Sequence, residues 1–388
     1  MVGVMMIDLS AAFDMVDHQI LLKKLDIYGL DNQARAWMHS YLSGRTQAVL
    51  VDGSLSPALS LPCGVPQGSI LGPLLYILFT NEIPELVHDH PVSFLHPSPY
   101  CSACGGTVCY VDDSTYSYAD KDPVLLSQKL NQQYERISTF MAANRLVMNG
   151  YKTHLVVMGM RKTAARRQEV SISADGFNIK PSRAEKLLGG VVCEDMKWKQ
   201  HLIASDQSLT RQLTSRLNGL QKISSSAPFK TRLTVANGIF MSKLCYLVQL
   251  WGGCEKHLIK SLQMVQNKAA RVVTGKSWFT PVRRLLKECR WLSVQQLIFF
   301  QTAVQVHKIL LSGGPTFFRQ RLRVQHPRET RQATQGNVWR GLDWSSRSFS
   351  ARGAQSYNMV PAHIKSITSL PTFKSKLRNW VSNNIPID

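Results

Sequence analysis

Three aspartates sit where an isolated chain gains nothing from charge. Asp112 and Asp113 are adjacent in the stretch CYVDDSTYS, residues 109–117, and Asp8 closes the apolar run VGVMMID. Neighbouring carboxylates repel each other, and a charge at the end of a buried strand is costly unless something neutralises it. The flanking TVCY and STYS are rich in strand formers, so the pattern predicts a hairpin with Asp112 and Asp113 at its tip. A hard divalent cation suits such a place. Mg²⁺ takes one or two carboxylates and completes its shell with water and substrate phosphate oxygens. Two such ions can clamp the attacking and leaving oxygens of nucleotidyl transfer, as in polymerases and nucleases. A lone Asp-Asp pair is better explained as turn and helix-capping residues, so the surrounding chain has to decide.

A second group of metal-type side chains lies in HDHPVSFLHPSPYCSACGGTVCY, within the insert 86–109. Cys101 and Cys104 form a CxxC pair, with Cys109 and His96 nearby and His88 and His90 further back. Zn²⁺ takes four such ligands tetrahedrally, and a Cys-Cys-Cys-His set fits that preference. The spacings to histidine are unconventional, and a solvated loop with incidental thiols is the plainer reading.

The elements around these residues follow from periodicity and turn chemistry. VGVMMID reads as a strand, and DHQILLKKLDIYGL as a helix closed by Gly29. A helix is expected over 31–42, a strand in TQAVLVDG, and a turn followed by an apolar helix in GVPQGSILGPLLYILFTNEIP. A helix over 123–144 follows the hairpin, then a short strand region over 170–193. From about residue 199 the pattern is helical and basic, over 199–223, 229–250, 255–275 and 293–312. The stretch 320–350 is rich in Arg, Gln and Ser and reads as loose, and a last helix is expected over 371–383.

Charge divides the chain. Residues 1–120 carry 4 Lys/Arg against 12 Asp/Glu, and residues 121–388 carry 42 against 13. An acidic front and a basic back suit a metal site followed by a phosphate-gripping surface. The net charge of +21 points to a polyanionic partner, nucleic acid before membrane. With 388 residues, 44% of them hydrophobic, the chain has length for about two or three domains with proper cores. No window reaches about 18 uninterrupted apolar residues, and no signal peptide is expected. Eight cysteines without such a signal read as reduced thiols of an intracellular protein, nuclear or cytoplasmic.

Taken together, the motifs resemble a reverse transcriptase of the non-LTR, LINE-type retrotransposon class, close to the jockey and CR1 groups. IDLSAAFDMVDHQILLKKL is similar to the first palm motif, GVPQGSILGPLLYILFTNEIP to the second, YVDD to the third and MNGYKTHLVVM to the fourth. KLLGGVVCEDMKWKQHL resembles the primer-grip hairpin, and LQMVQNKAARVVTG and SFSARGAQSYNMVP resemble segments that follow in such elements.

The resemblance implies an α+β fold. A palm over 1–193 would pair an antiparallel sheet with helices, a thumb-like helical region would occupy 194–315, and a basic tail with a terminal helix would occupy 316–388. It implies RNA-directed DNA polymerase activity with two Mg²⁺ ions, Mn²⁺ as a substitute, an RNA template, a DNA primer, their hybrid and deoxynucleoside triphosphates. Asp8 and Asp112 match the metal-bridging carboxylates, with Asp113 in support, and Lys152 matches the lysine placed beside the leaving pyrophosphate. Phe13 matches the ring that excludes a ribose 2′-hydroxyl, and Gln67 and Gly68 match the turn beneath the new base pair. Tyr110 would pack near the primer end. Valine stands in YVDD where this class usually has alanine. In this class a fingers region precedes the first motif, and Met1 lies seven residues before Asp8, so a weakened or absent activity is expected of this chain alone. A catalytically inactive remnant that binds nucleic acid is the alternative. A metal-dependent nuclease is disfavoured, because Phe13, Gln67 and Gly68 would then have no role.

Overall fold

The structure is a computed structural model that describes residues 1–87, 100–101, 105–174, 176–314, 318, 322, 338 and 348–387. Contacts divide the chain into two compact units. One takes Met1–Glu185 and Cys193–Met196; the other takes Lys186–Val192 and Lys197–Asp388.

The first unit is built on a five-stranded sheet. Its strand order is Tyr100–Cys101, Gly105–Tyr110, Asp113–Ala119, Val2–Ile7 and His154–Met158, every neighbouring pair antiparallel. The opening strand is flanked on both sides, so Val4, Met5, Met6 and Ile7 are all buried. Such a continuous apolar run is what a doubly covered strand requires. The Asp113–Ala119 strand instead alternates, with Ser114, Tyr116 and Tyr118 turned inward. Helix Pro123–Ala143 covers the sheet, starting where the Asp122 side chain accepts from the Val124 N–H. Its Leu126 and Leu130 are fully buried, and its Gln133 accepts the Tyr118 hydroxyl at 2.8 Å.

Two further helices flank the strand ends. His18–Ile27 is capped by Asp17, whose side chain accepts from the Ile20 N–H at 2.9 Å. The apolar helix Leu71–Phe79 buries Leu75, Tyr76 and Phe79. Lys24 ties the two together, donating to the Phe79 carbonyl at 2.6 Å and to Glu82 at 2.9 Å. A buried ammonium is tolerable there because both contacts are hydrogen-bonded acceptors.

The second unit is helical. Leu209–Ser224, Lys256–Thr274, Val282–Cys289, Val294–Ser312, Phe349–Asn358 and Leu370–Asn384 contribute to one apolar core. Phe373, Leu377 and Val381 of the last helix are fully buried in it, so the terminal helices are grouped with the helical segment before them. Trp251 and Trp291 are core residues whose indole N–H groups donate to the Tyr246 carbonyl and to Asn237.

Some expectations meet a different structure. The helix expected over 229–250 is broken into Phe229–Ala236, a π-helical turn Asn237–Met241, Ser242–Cys245 and Val248–Trp251. Leu247 interrupts it with a left-handed backbone, φ +57°. Helices Val282–Cys289 and Phe349–Asn358 arise where none was expected. Most of the loose stretch expected over 320–350 lies outside the described residues. No described helix is long and apolar enough to cross a membrane.

Candidate active site

The sheet brings the separated motifs to one end. Asp8 follows the last residue of the Val2–Ile7 strand, and its carbonyl accepts from the Asn149 N–H at 3.1 Å. On the other side of that strand runs Asp113–Ala119, paired so that Ile7 faces Ser114. This register sets Asp8 beside the hairpin that joins Gly105–Tyr110 to Asp113–Ala119. Tyr110 pairs with Asp113, which leaves Val111 and Asp112 as the two-residue tip. Val111 takes φ +58° there. A β-branched residue in that region is strained, and such strain of roughly 1–3 kcal/mol survives only where the surroundings enforce it. The tip thus carries Asp112, while Asp113 opens the following strand.

Electrostatics agree with this convergence. Burial, then the charges of Asp112 and Asp8, push the Asp113 carboxyl above its usual range. Asp112 also bears on Tyr76, whose phenol is raised first by burial and then by that charge. The three carboxylates are close enough to raise one another's proton affinity. Among the described residues a cation pairs with one of them: Lys152, whose Nζ lies 3.4 Å from an Asp8 oxygen. Lys152 ends a short turn, Gly150–Lys152, capped by the Asn149 side chain. Asn149 therefore fixes both partners, one through its backbone and the other through its side chain.

The third part comes from the turn before Leu71–Phe79. Ser69 donates to the Pro66 carbonyl at 2.7 Å and accepts from the Gly72 N–H at 2.9 Å, closing the PQGS turn. Gly68 holds φ +77°, with nothing within 4 Å of where a Cβ would stand. Gln67 is exposed, and its amide is held by both oxygens of Asp14 at 3.0 and 3.1 Å. Gly64, φ +94°, is pressed against the loop that carries Asp14, where an added Cβ would lie 2.9 Å from the Asp14 carbonyl oxygen. Its N–H donates to the Val16 carbonyl at 2.8 Å, and the Val65 N–H donates to the Phe13 carbonyl at 2.9 Å. Phe13 is half-buried, its ring 4.9 Å from that of Tyr76.

These segments enclose an open cleft of about 540 Å³, lined by Asp8, Phe13, Gln67, Gly68, Asp112 and Lys152 among others. Asp113 and Tyr110 are not among its lining residues; Tyr110 is 62% exposed on the neighbouring strand. Among the described residues no three His, Cys, Asp or Glu side chains converge into a ready metal cage. Mg²⁺ does not require one, because one or two carboxylates and phosphate oxygens suffice. Asp8 and Asp112 supply that hard-oxygen donor set in one cleft, so the residues fit the ion.

Zn²⁺ finds no support. Cys104 and His96 lie outside the described residues, and Cys101 is described only through its backbone pairing with Gly105. The Cys109 sulfur accepts the Ser114 hydroxyl at 3.7 Å. In the basic half, Arg232 is committed internally, donating to the Val273 and Ser224 carbonyls at 2.9 and 2.8 Å. It closes helix ends with two of its five N–H groups. Asp14 and Asn149 are site residues that sequence reading passed over. Each lay inside a motif, but only its partner across the fold gives it a role.

Residues 2–191 match the family described as reverse transcriptase (RNA-dependent DNA polymerase), and this stretch is identified with that family. Among its relatives are RNA-directed DNA polymerases from transposons and mobile elements. It is 27% identical over 293 residues to a probable RNA-directed DNA polymerase from transposon X-element of Drosophila melanogaster, covering 72% of this chain and 29% of that protein. It is 24% identical over 287 residues to the RNA-directed DNA polymerase from mobile element jockey of Drosophila funebris, covering 74% of this chain and 30% of that one. The matched stretch thus spans less than a third of those relatives' own length. Telomerase from Candida albicans, solved with a fragment of telomeric RNA, is similar at a TM-score of 0.43 and 13% identity, covering 100% of this chain and 52% of that one.

Proposed function

We propose that this chain carries out template-directed DNA synthesis on RNA, with the first unit as the polymerase palm and the second as its thumb. The observation that carries this is the single cleft lined by Asp8, Phe13, Gln67, Gly68, Asp112 and Lys152. The family match supplies the reaction class; the cleft supplies a role for each side chain. Asp8 and Asp112 offer the carboxylate oxygens that would hold Mg²⁺, and Asp113 adds negative potential from beside them. When bound, Mg²⁺ neutralises phosphate charge and lowers the pKa of the attacking hydroxyl.

The remaining work falls to the chain. Phe13, braced by Tyr76, sets a wall against which a ribose 2′-hydroxyl would clash. Gly68 leaves the space above its turn open for a base pair, and Gln67 is aimed by Asp14. Lys152 stands at the carboxylates as the donor that neutralises or protonates the departing pyrophosphate. Exposed cations of the helical unit, such as Lys268, suit backbone contacts to an RNA–DNA hybrid, which is recognised by shape.

Primer extension on an RNA template with Mg²⁺ and deoxynucleotides tests this, with Asp112→Ala/Asp113→Ala run beside the wild type. The reading requires extension by the wild type, however slow, and none by the double variant. No extension by either, with salt-sensitive hybrid binding kept by both, would leave a nucleic-acid-binding protein without catalysis.

A further inference from the structure

Helices Val282–Cys289 and Leu370–Asn384 of the second unit flank a cleft of about 850 Å³ that the polymerase reading leaves without a role. Its lining includes Arg283, Arg284, Lys287, Arg290 and Arg378, and none of its lining residues is acidic. The nearby Glu288 is already paired with Lys276. Arg378 is half-buried, donates to the Arg290 carbonyl at 2.6 Å and lies over the Phe300 ring at 6.0 Å. No ion pair joins it to a carboxylate among the described residues, and burial pulls it below the usual guanidinium value. Five cations converging on a concave surface repel one another and favour a polyanion that neutralises them together.

The adjoining loop narrows the kind of polyanion. Trp278 and Phe279 are 67% and 92% exposed, three and two residues before the cleft-lining Pro281. The loop is braced: the Arg271 guanidinium stacks on Trp278 at 4.4 Å and donates to its carbonyl at 3.3 Å. Two exposed aromatic rings on an anchored loop beside a row of cations are the parts of a single-strand binding surface, where bases stack and the backbone tracks positive charge. Acidic protein would use the cations and leave the rings idle; duplex would keep its bases stacked away from them.

We propose that this cleft and its Trp278–Phe279 loop bind single-stranded nucleic acid, with the sugar-phosphate backbone along Arg283, Arg284 and Lys287 and bases on the two rings. The binding is separate from the carboxylate cleft and needs no catalysis. It is measured by fluorescence anisotropy in EDTA, using labelled RNA and DNA strands of about 20 nucleotides, which exceed the usual site size of such surfaces. A blunt duplex of the same length and poly-glutamate serve as competitors.

The wild type should prefer the single strands severalfold over duplex. Arg283→Ala/Lys287→Ala should reduce the slope of log K against log salt by about 1.4, at roughly 0.7 per lost single-strand phosphate contact. Trp278→Ala/Phe279→Ala should weaken binding by about fivefold or more with the slope unchanged. Lys162→Ala/Lys180→Ala, the same charge loss in the first unit, should change neither. RNA against DNA strands separates a template-type from a product-type ligand. Equal affinity for duplex or poly-glutamate, or wild-type binding by well-folded cleft and loop variants, would overturn the proposal whether or not primer extension succeeds.

Discussion

Replacing Gly64 with alanine should break the seam that aligns the Gln67–Gly68 turn with the first motif. At φ +94° any side chain is strained, by roughly 1–2 kcal/mol. The new methyl would also sit 2.9, 3.1 and 3.2 Å from the carbonyl oxygen, Cα and carbonyl carbon of Asp14. Backbone cannot swing aside as a flexible side chain does. The two hydrogen bonds pinning residues 64–65 to 13–16 oppose any retreat. Overpacking of this kind costs about 1–3 kcal/mol. The alanine recovers about 0.5–1 kcal/mol by restricting the unfolded chain. The net loss is therefore about 2–4 kcal/mol. Gly68→Ala is the matched control, since it has a similar φ of +77° but open space around the new methyl. Its net cost should be about 0.5–1 kcal/mol. Urea unfolding followed by a first-unit probe separates the two variants: with a slope near 2 kcal/mol per molar, Gly64→Ala should lower the midpoint by about 1–2 M. Equal midpoints for the two variants would refute the reasoning.

Other perturbations have equally definite outcomes. Asp14→Ala releases the Gln67 amide and should raise the deoxynucleotide KM by about fivefold, an effect near 1 kcal/mol, with kcat and stability little changed; steady-state kinetics and a thermal melt read both. Because the folded Asp113 pKa is raised, its ionised form disfavours folding, and stability is lost as pH rises through that value. Asp113→Asn should therefore raise Tm at neutral pH, with the gain shrinking on acidification or on adding Mg²⁺. His201 is buried and held down to about 4 by burial and by Lys243. The unfolded chain takes up that proton first, so the second unit should lose about 3 kcal/mol as pH falls from about 6.5 to 4, and His201→Gln should flatten that part of the profile.

Much of the site was legible because it obeys local rules. An apolar run ending in Asp8 read as a buried strand, and the strand formers on both sides of the aspartate pair placed Asp112 and Asp113 at a hairpin. The remainder depends on pairs distant in sequence. Asp14 and Gln67 are 53 residues apart, and nothing local announces that one aims the other. Asn149 acts through a backbone bond to Asp8, which leaves no trace in composition. The break at Leu247 follows tertiary anchoring of its neighbours: Tyr246 donates to the Leu188 carbonyl, and Trp251 donates back to the Tyr246 carbonyl. Helix Val282–Cys289 was hidden by its shortness and by its charge.

The proposed chemistry requires Asp8 and Asp112 to hold a divalent ion together. Fe²⁺ in place of Mg²⁺, with ascorbate and peroxide, generates radicals that cut the backbone beside the bound metal, and mass spectrometry maps the cuts. Cleavage should centre on residues near 8, 67, 112 and 152, be competed by Mg²⁺, and vanish in Asp8→Asn and Asp112→Asn. Cuts elsewhere, or an unchanged pattern in both variants, would contradict it.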